Sequence, residues 1–299
     1  MQDPKMMAKI RDGKGFIAAL DQSGGSTPKA LKGYGVEEGS WSNEEEMFGL
    51  IHQMRSRIIT SPAFTGDKVI GAILFERTMD GEIDGKPVPQ VLSERGVVPF
   101  IKIDKGLEAE ENGVQLMKPM PDLDRLLGRA RDLGVFGTKE RSVINLANRT
   151  GIAAIVEQQF DVARQVLGSG LVPIIEPEVN IKSPERAEAD RILLEDLSKA
   201  LDSLPGDEKV MLKLSIPAEP NLFRSLVDDP RVLRVVALSG GFSRPEACRE
   251  LARNQGMIAS FSRALLEDLR HQMSDDEFDR ALGRAIGEIY EASSVKAAA

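Results

Sequence analysis

The stretch Val210-Met-Leu-Lys-Leu-Ser-Ile216 reads as a buried β-strand interrupted by a single charge, Lys213. An ammonium in an apolar strand is costly, because burial favours the neutral amine. A lysine whose pKa is pulled down in this way is a nucleophile able to form a Schiff base with a carbonyl compound. The plain alternative is an inward lysine held by a carboxylate partner. What decides between them is whether the rest of the chain repeats the pattern.

It does. Eight short apolar runs, rich in β-branched residues, each end in reactive polar groups. Phe16–Leu20 ends at Asp21, Val69–Phe75 at Glu76, and Val97–Ile101 at Lys102 and Asp104. Val135-Phe136 leads to Lys139 and Arg141, Leu171–Ile175 to Glu176 and Glu178, and Val210–Leu212 to Lys213. Val235–Leu238 precedes Ser239-Gly240-Gly241, and Met257–Ala259 precedes Ser260 and Arg263. Stretches with helical spacing lie between most of the runs, for example Asp122 to Leu133, Ile152 to Leu167 and Pro184 to Leu204. Strand and helix in alternation predict a parallel sheet with helical crossovers. Eight repeats in 299 residues predict a (β/α)8 TIM barrel of class α/β, a single domain over residues 1–299. Substrates of this fold bind at the C-terminal rim of the strands, which is where the charges gather.

Composition narrows the function. At 41% hydrophobic residues the chain has ample material for one core, and no Pro-, Gly- or Ser-rich linker divides it. No apolar stretch is long enough to span a bilayer, and Met1-Gln-Asp-Pro-Lys5 lacks a signal peptide's apolar segment, so a cytoplasmic location and no membrane partner are expected. The net charge of −8, with two tyrosines and one tryptophan, argues against nucleic acid as a partner. Lys102, Lys139, Arg141, Lys213 and Arg263 would converge into a local positive pocket on this acidic chain, which suits a small anionic substrate. His52 and His271 each stand alone, and Cys248 lies on a helical stretch as a passive small residue. Glu76, Asp104 and Glu178 are conceivable magnesium ligands, but neighbouring lysines offer them counter-charges. No metal and no cofactor are expected, which leaves amine chemistry for a reaction at a carbonyl.

Two glycine-rich turns complete the pattern. Asp21-Gln-Ser-Gly-Gly-Ser-Thr-Pro28 follows the first strand, and its hydroxyls and amides open into a helical segment that can cradle an oxyanion; an ordinary βα turn is the alternative. Leu238-Ser-Gly-Gly-Phe-Ser243 and Ser260-Phe-Ser-Arg263 follow the seventh and eighth strands, the usual phosphate site of such barrels. Two anion cradles imply a substrate phosphorylated at both ends.

These residues resemble the class I fructose-1,6-bisphosphate aldolases, in particular the short bacterial type. The resemblance runs from Gly13–Ser26 through Ile101–Gly106, Phe136–Arg141, Val172–Glu178, Met211–Lys213, Leu238–Gly241 and Ser260–Arg263, and so covers nearly the whole chain. It implies that Lys213 forms the imine with a ketose carbonyl, that Glu176 handles protons as that imine forms, and that Asp21 accepts the hydroxyl proton as the carbon–carbon bond breaks. Lys139 is implied to position the hydroxyls and to keep Lys213 deprotonated. Ser239, Gly241 and Arg263 fall at the phosphate retained on dihydroxyacetone phosphate, with Gly240 and Ser260 also in the substrate site. Ser23, Ser26, Lys102 and Arg141 fall at the distal phosphate, with Glu178 also in the substrate site. The implied substrate is a small phosphorylated sugar. Three positions depart from the pattern common in vertebrate relatives: Gln22 replaces an acid, Ala30 a basic residue, and Phe261-Ser262 a Tyr-Gly pair. A mobile terminal tyrosine, which those relatives use to deliver a proton, is not expected here, since Tyr290 lies on the helical stretch Asp275 to Ala292. Two rivals stay open, a Schiff-base barrel enzyme for a one-phosphate sugar or a transaldolase, and a barrel kept as a binding scaffold.

Overall fold

The computed structural model describes residues 3–297. Eight parallel strands run in chain order around a barrel: β1 Phe16–Leu20, β2 Val69–Leu74, β3 Val98–Lys102, β4 Gly137–Ile144, β5 Val172–Val179, β6 Val210–Ser215, β7 Val232–Leu238 and β8 Ile258–Ala259. The ring comes round where the Ala19 N–H donates to the Phe261 carbonyl at 3.1 Å, bringing the end of β8 beside β1. Helices return the chain on the outside, among them Glu44–Thr60, Leu123–Asp132, Arg149–Gly168, Arg186–Asp202 and Arg244–Ala252. Helix Asp275–Ser294 follows β8.

Each strand sorts its residues by a period of two. Phe16, Ala18 and Leu20 of β1 pack outward among the helices, whereas Ile17 and Ala19 belong to a second cluster that fills the barrel. The helices answer with a stripe at 3.6-residue spacing, as in Leu123, Leu126, Leu127 and Ala130. Their starts are fixed by side-chain caps: Asn43 and Asn148 accept backbone N–H groups, and Ser243 with Glu246 and Ser274 with Glu277 form capping boxes.

The lower end of the barrel is sealed by helix Pro4–Asp12. Its Ile10 is fully buried with Ile17, Ile70, Val98, Phe100, Val172 and Met211, and Met6 and Met7 pack beside it. Gly137 makes this packing possible, since a Cβ there would stand 2.9 Å from the Phe100 ring and collide with the Val172 carbonyl. Phe100 uses the space to meet Phe136 edge to face, with ring centroids 5.5 Å apart.

Strands β4 and β5 run further than their apolar runs. Lys139 and Arg141 lie inside β4, and Glu176 and Glu178 inside β5, in register as Arg141 opposite Glu176. Charges continue a strand here because they sit on the barrel side and pair with one another, while the alternating residues Thr138, Glu140 and Ser142 are buried. Residues Met1, Gln2, Ala298 and Ala299, at the ends of the stretches discussed above, lie outside the described residues. Tyr290 sits half-buried on the last helix with Lys68 Nζ 5.5 Å from its ring centroid, and Lys68 immediately precedes β2 at the lower end of the barrel.

Candidate active site at the upper end of the barrel

Above the apolar filling, a change of residue type occurs within two positions on five strands. Ala19 gives way to Asp21, Phe100 to Lys102, Gly137 to Lys139, Ile174 to Glu176 and Met211 to Lys213. These side chains open into a cavity of ≈ 830 Å³ whose lining includes Asp21, Lys102, Lys139, Glu176 and Lys213.

At its floor four charged groups form a line. Lys213 Nζ is 3.0 Å from one carboxylate oxygen of Glu176, and the other oxygen of Glu176 is 2.9 Å from Lys139 Nζ. Lys139 Nζ is in turn 2.8 Å from Asp21 and 3.9 Å from Asp104. All four of Lys213, Glu176, Lys139 and Asp21 are buried. Burial works against the charged form of Lys139, but Asp21, Glu176 and Asp104 overcome it and hold the ammonium far above the ordinary lysine value. Burial likewise pushes Asp21 up, yet the attraction of Lys139, Lys213 and Lys102, with the contact to Lys139, holds its carboxyl well below the usual range. Lys139 is therefore a fixed cation between two carboxylates.

The expected anion-binding groups come together around this floor. Gly240 and Gly241 adopt φ of 60° and 116°, where glycine is favoured, and the Arg263 guanidinium lies 3.5 Å from where a Cβ on Gly241 would stand. Ser239 and Ser260 are buried beside them, and the Ser260 hydroxyl has no hydrogen-bond partner. Across the cavity the Ser23 N–H donates to the Ser26 hydroxyl at 2.9 Å, and that hydroxyl donates to the Ser23 carbonyl at 2.7 Å. The first cradle is thus an ST-type turn closed on itself. Lys102 and Arg141 line the cavity already engaged: Lys102 donates to Asp104 Oδ1 at 2.6 Å, and Arg141 donates through Nε to Glu178 at 2.5 Å. Burial lowers Lys102's affinity for its proton despite Asp104.

Several residues singled out in the sequence stand apart from this cavity. Glu76 is held by Lys105 at 2.7 Å and by Arg129. His52 Nε2 lies 3.0 Å from the Glu82 carbonyl, and the His271 ring packs edge-on to Tyr34. Burial pushes the Cys248 thiol up to about 11, as suits an inert residue.

Two buried groups next to the site escaped sequence reasoning. Arg55 of helix Glu44–Thr60 is fully buried and donates to the Thr78 hydroxyl at 2.7 Å and to the Gln22 carbonyl at 2.5 Å. A signal was available, because Arg55 falls between Ile51 and Ile58 at core spacing on that helix. Glu140 is also fully buried, and neither carboxyl oxygen has a hydrogen-bond partner. Burial, with Asp104 nearby, raises its pKa well above the ordinary value. It lies between Lys139 and Arg141 in the sequence, where only its two neighbours were singled out.

Fold and site together define the class, an α/β barrel with an amine–carboxylate line at its upper mouth. The family model of class-I fructose-bisphosphate aldolase matches residues 5–213, and the chain belongs to that family. The fold is shared with the fructose-bisphosphate aldolase from Plasmodium falciparum, solved in complex with TRAP and a small molecule inhibitor. That structure has a TM-score of 0.77 at 19% identity and matches over 98% of this chain and 94% of that one. The protein Cgl0159 from Corynebacterium glutamicum superposes with a TM-score of 0.56 at 15% identity, over 97% of this chain and 92% of that one. No helix among the described residues is long and apolar enough to cross a membrane.

Proposed function

We propose that the protein is a cytoplasmic, single-domain, Schiff-base aldolase that reversibly cleaves fructose 1,6-bisphosphate into dihydroxyacetone phosphate and glyceraldehyde 3-phosphate, as in glycolysis or gluconeogenesis. The observation that carries this reading is the line Lys213–Glu176–Lys139–Asp21, with separations of 3.0, 2.9 and 2.8 Å, at the floor of a cavity flanked by two anion cradles. Glu176 takes a proton from the Lys213 ammonium, and the free amine adds to the ketose C2. Glu176 returns the proton to the C2 hydroxyl, water leaves, and a protonated imine remains. Asp21 then accepts the C4 hydroxyl proton; the C3–C4 electrons pass into the imine, giving an enamine and releasing the aldehyde.

Lys139 serves this sequence as a cation that does not titrate. It orients the hydroxyls and holds Asp21 as a carboxylate. Asp21 is a weak base while its pKa is so depressed. The phosphates of the substrate bring negative charge into the pocket and move that pKa toward the working range. Ser239, Gly240, Gly241, Ser260 and Arg263 hold the phosphate next to C1. Ser23, Ser26, Lys102 and Arg141 hold the other, with Arg141 oriented by Glu178.

Borohydride reduction in the presence of dihydroxyacetone phosphate, followed by peptide mapping, tests the reading. The expected product is a stable adduct on Lys213; an adduct on Lys102 or Lys139 instead would refute the assignment. A one-phosphate or transaldolase specificity would be recognised by equal efficiency on fructose 1-phosphate and the bisphosphate.

A further inference from the structure

The barrel is least well joined between β8 and β1, where the two anion cradles hang on either side. Strand β8 has two residues, both paired with β7, and among the described residues no ladder is assigned between β8 and β1. The backbone bond from Ala19 to Phe261 spans this seam. Directly above it a chain of side chains crosses as well. Gln22 Nε2 donates to the Ser262 hydroxyl at 2.7 Å and to the Ala19 carbonyl at 3.3 Å. Gln22 Oε1 accepts from Arg55 at 3.1 Å, and Arg55 also holds the Gln22 carbonyl and the hydroxyl of Thr78, beyond β2. Gln22 and Ser262 are two of the positions at which this sequence departs from the common pattern, and they touch each other.

We propose that Gln22 is a positioning residue that, braced by Arg55 and bonded to Ser262, locks the loop after β1 to the loop after β8 and thereby fixes the spacing of the two phosphate cradles. Gln22 lies between Asp21 and Ser23, and Ser262 between Phe261 and Arg263, so the bond links the backbones that carry one cradle to those that carry the other. Arg55 is well suited to act as the brace, since it is fully buried and fixed by three oxygens, with no carboxylate at ion-pair distance among the described residues. Burial lowers its pKa to about 10, and the nearby charge of Asp21 opposes that fall. A substrate anchored at both ends gains from a preset spacing, because ordering the loops on binding costs affinity. A substrate with one phosphate gains little. The inference rests on the aldolase reading for its substrates, but not for the tie itself.

Gln22→Met keeps the side-chain length and removes the hydrogen bonds, and Ser262→Ala removes the hydroxyl. Each is expected to raise KM for fructose 1,6-bisphosphate about tenfold, the usual weight of one hydrogen bond, with kcat within about threefold. Preference for the bisphosphate over fructose 1-phosphate falls by the same factor, and the double variant is no worse than either single one. Gln22→Glu, which still accepts from Arg55 and from the Ser262 hydroxyl, restores KM to within about threefold. In the unliganded proteins, amide hydrogens of residues 260–266 exchange about tenfold faster in Gln22→Met than in wild type. Equal losses on both ketoses, additive effects, or unchanged exchange would overturn the proposal. If the wild type cleaved neither ketose, the aldolase reading would fall and the exchange measurement would still decide the tie.

Discussion

The lower and upper halves of this barrel are built by the same strands and obey opposite rules. Below, the interior positions are Ile17, Ile70, Val98, Phe100, Val172, Ile174 and Met211, closed from beneath by Ile10. Above, two residues beyond Ala19, Phe100, Gly137, Ile174 and Met211, they are Asp21, Lys102, Lys139, Glu176 and Lys213. The lower half is stabilised by excluding water and gains from any well-fitting apolar group. The upper half holds charges that burial penalises and that persist only because each faces an opposite charge at 2.6–3.0 Å. One half supplies stability, and the other spends part of it on preorganised electrostatics.

The largest effect comes from carrying the lower rule into the upper half. Lys213→Met makes β6 apolar along its interior face, as it already is at Met211. We expect a folded protein with kcat reduced by about four orders of magnitude or more, since no other group supplies the amine. Thermal denaturation and turnover of the same sample check both parts. A variant with a tenth of wild-type activity would mean that Lys213 is not the nucleophile.

Lys139→Met applies the same change where it should damage the fold. Asp21 would then be buried without its contact cation, while Glu176 keeps Lys213 at 3.0 Å, and leaving a buried charge uncompensated costs about 3–5 kcal/mol. With burial no longer opposed by Lys139, the Asp21 carboxyl would bind a proton more readily in the folded state than in the unfolded chain, so the variant regains stability, relative to wild type, as pH falls from 7 toward 5. In wild type the sign is reversed for Asp21. Its depressed pKa contributes stability above the ordinary carboxylate value of about 4, lost as pH falls below it. Urea denaturation of both proteins at pH 7 and pH 5 measures the difference, and a gap that did not narrow would show that Lys139 is not what keeps Asp21 charged.

Ile10→Ala tests the lower half alone. The cavity it leaves against Ile17, Val98 and Phe100 is expected to cost about 2–4 kcal/mol, with kcat and KM within about twofold of wild type. Parallel losses of stability and turnover would instead join the plug to the site.

The contrast also explains what the sequence made legible. The lower half is announced by apolar runs, so all eight strands could be counted, and the upper half by charges interrupting or following them, so Lys213, Glu176, Lys139 and Asp21 stood out. The pairings were less visible. Neighbouring lysines were expected as counter-charges for Asp104 and Glu178, but not which ones: Lys102 holds Asp104 and an arginine, Arg141, holds Glu178, because strand-end spacing does not say which neighbour a long side chain will reach. Arg55 was hidden by lying on a helix remote in sequence from the loop it braces. Glu140 drew no reading at all: one position from Lys139 on a strand of period two, it is turned away from the site and buried.

Glu140 therefore belongs to neither half, and it gives the smallest effect with the most specific signature. Burial opposes ionisation most, Asp104 and Glu176 add to it, and together they outweigh Lys139, which favours ionisation. A carboxyl whose folded pKa is raised stays neutral in the folded protein while it ionises in the unfolded chain from about pH 4.3 upward. Unfolding then releases a proton, and this group makes the protein less stable as pH rises through that window, up to the raised folded value. Glu140→Gln keeps the size and neutrality of the folded group but abolishes ionisation of the unfolded one. We expect the variant to be more stable than wild type at pH 7, because it no longer has to take up on folding a proton that the unfolded chain has released. The advantage should shrink steadily toward pH 4, and kcat should stay within about threefold. Urea titrations across that range would expose a pH-independent difference, which would mean that Glu140 is ionised in the folded protein and compensated by Lys139 across the strand.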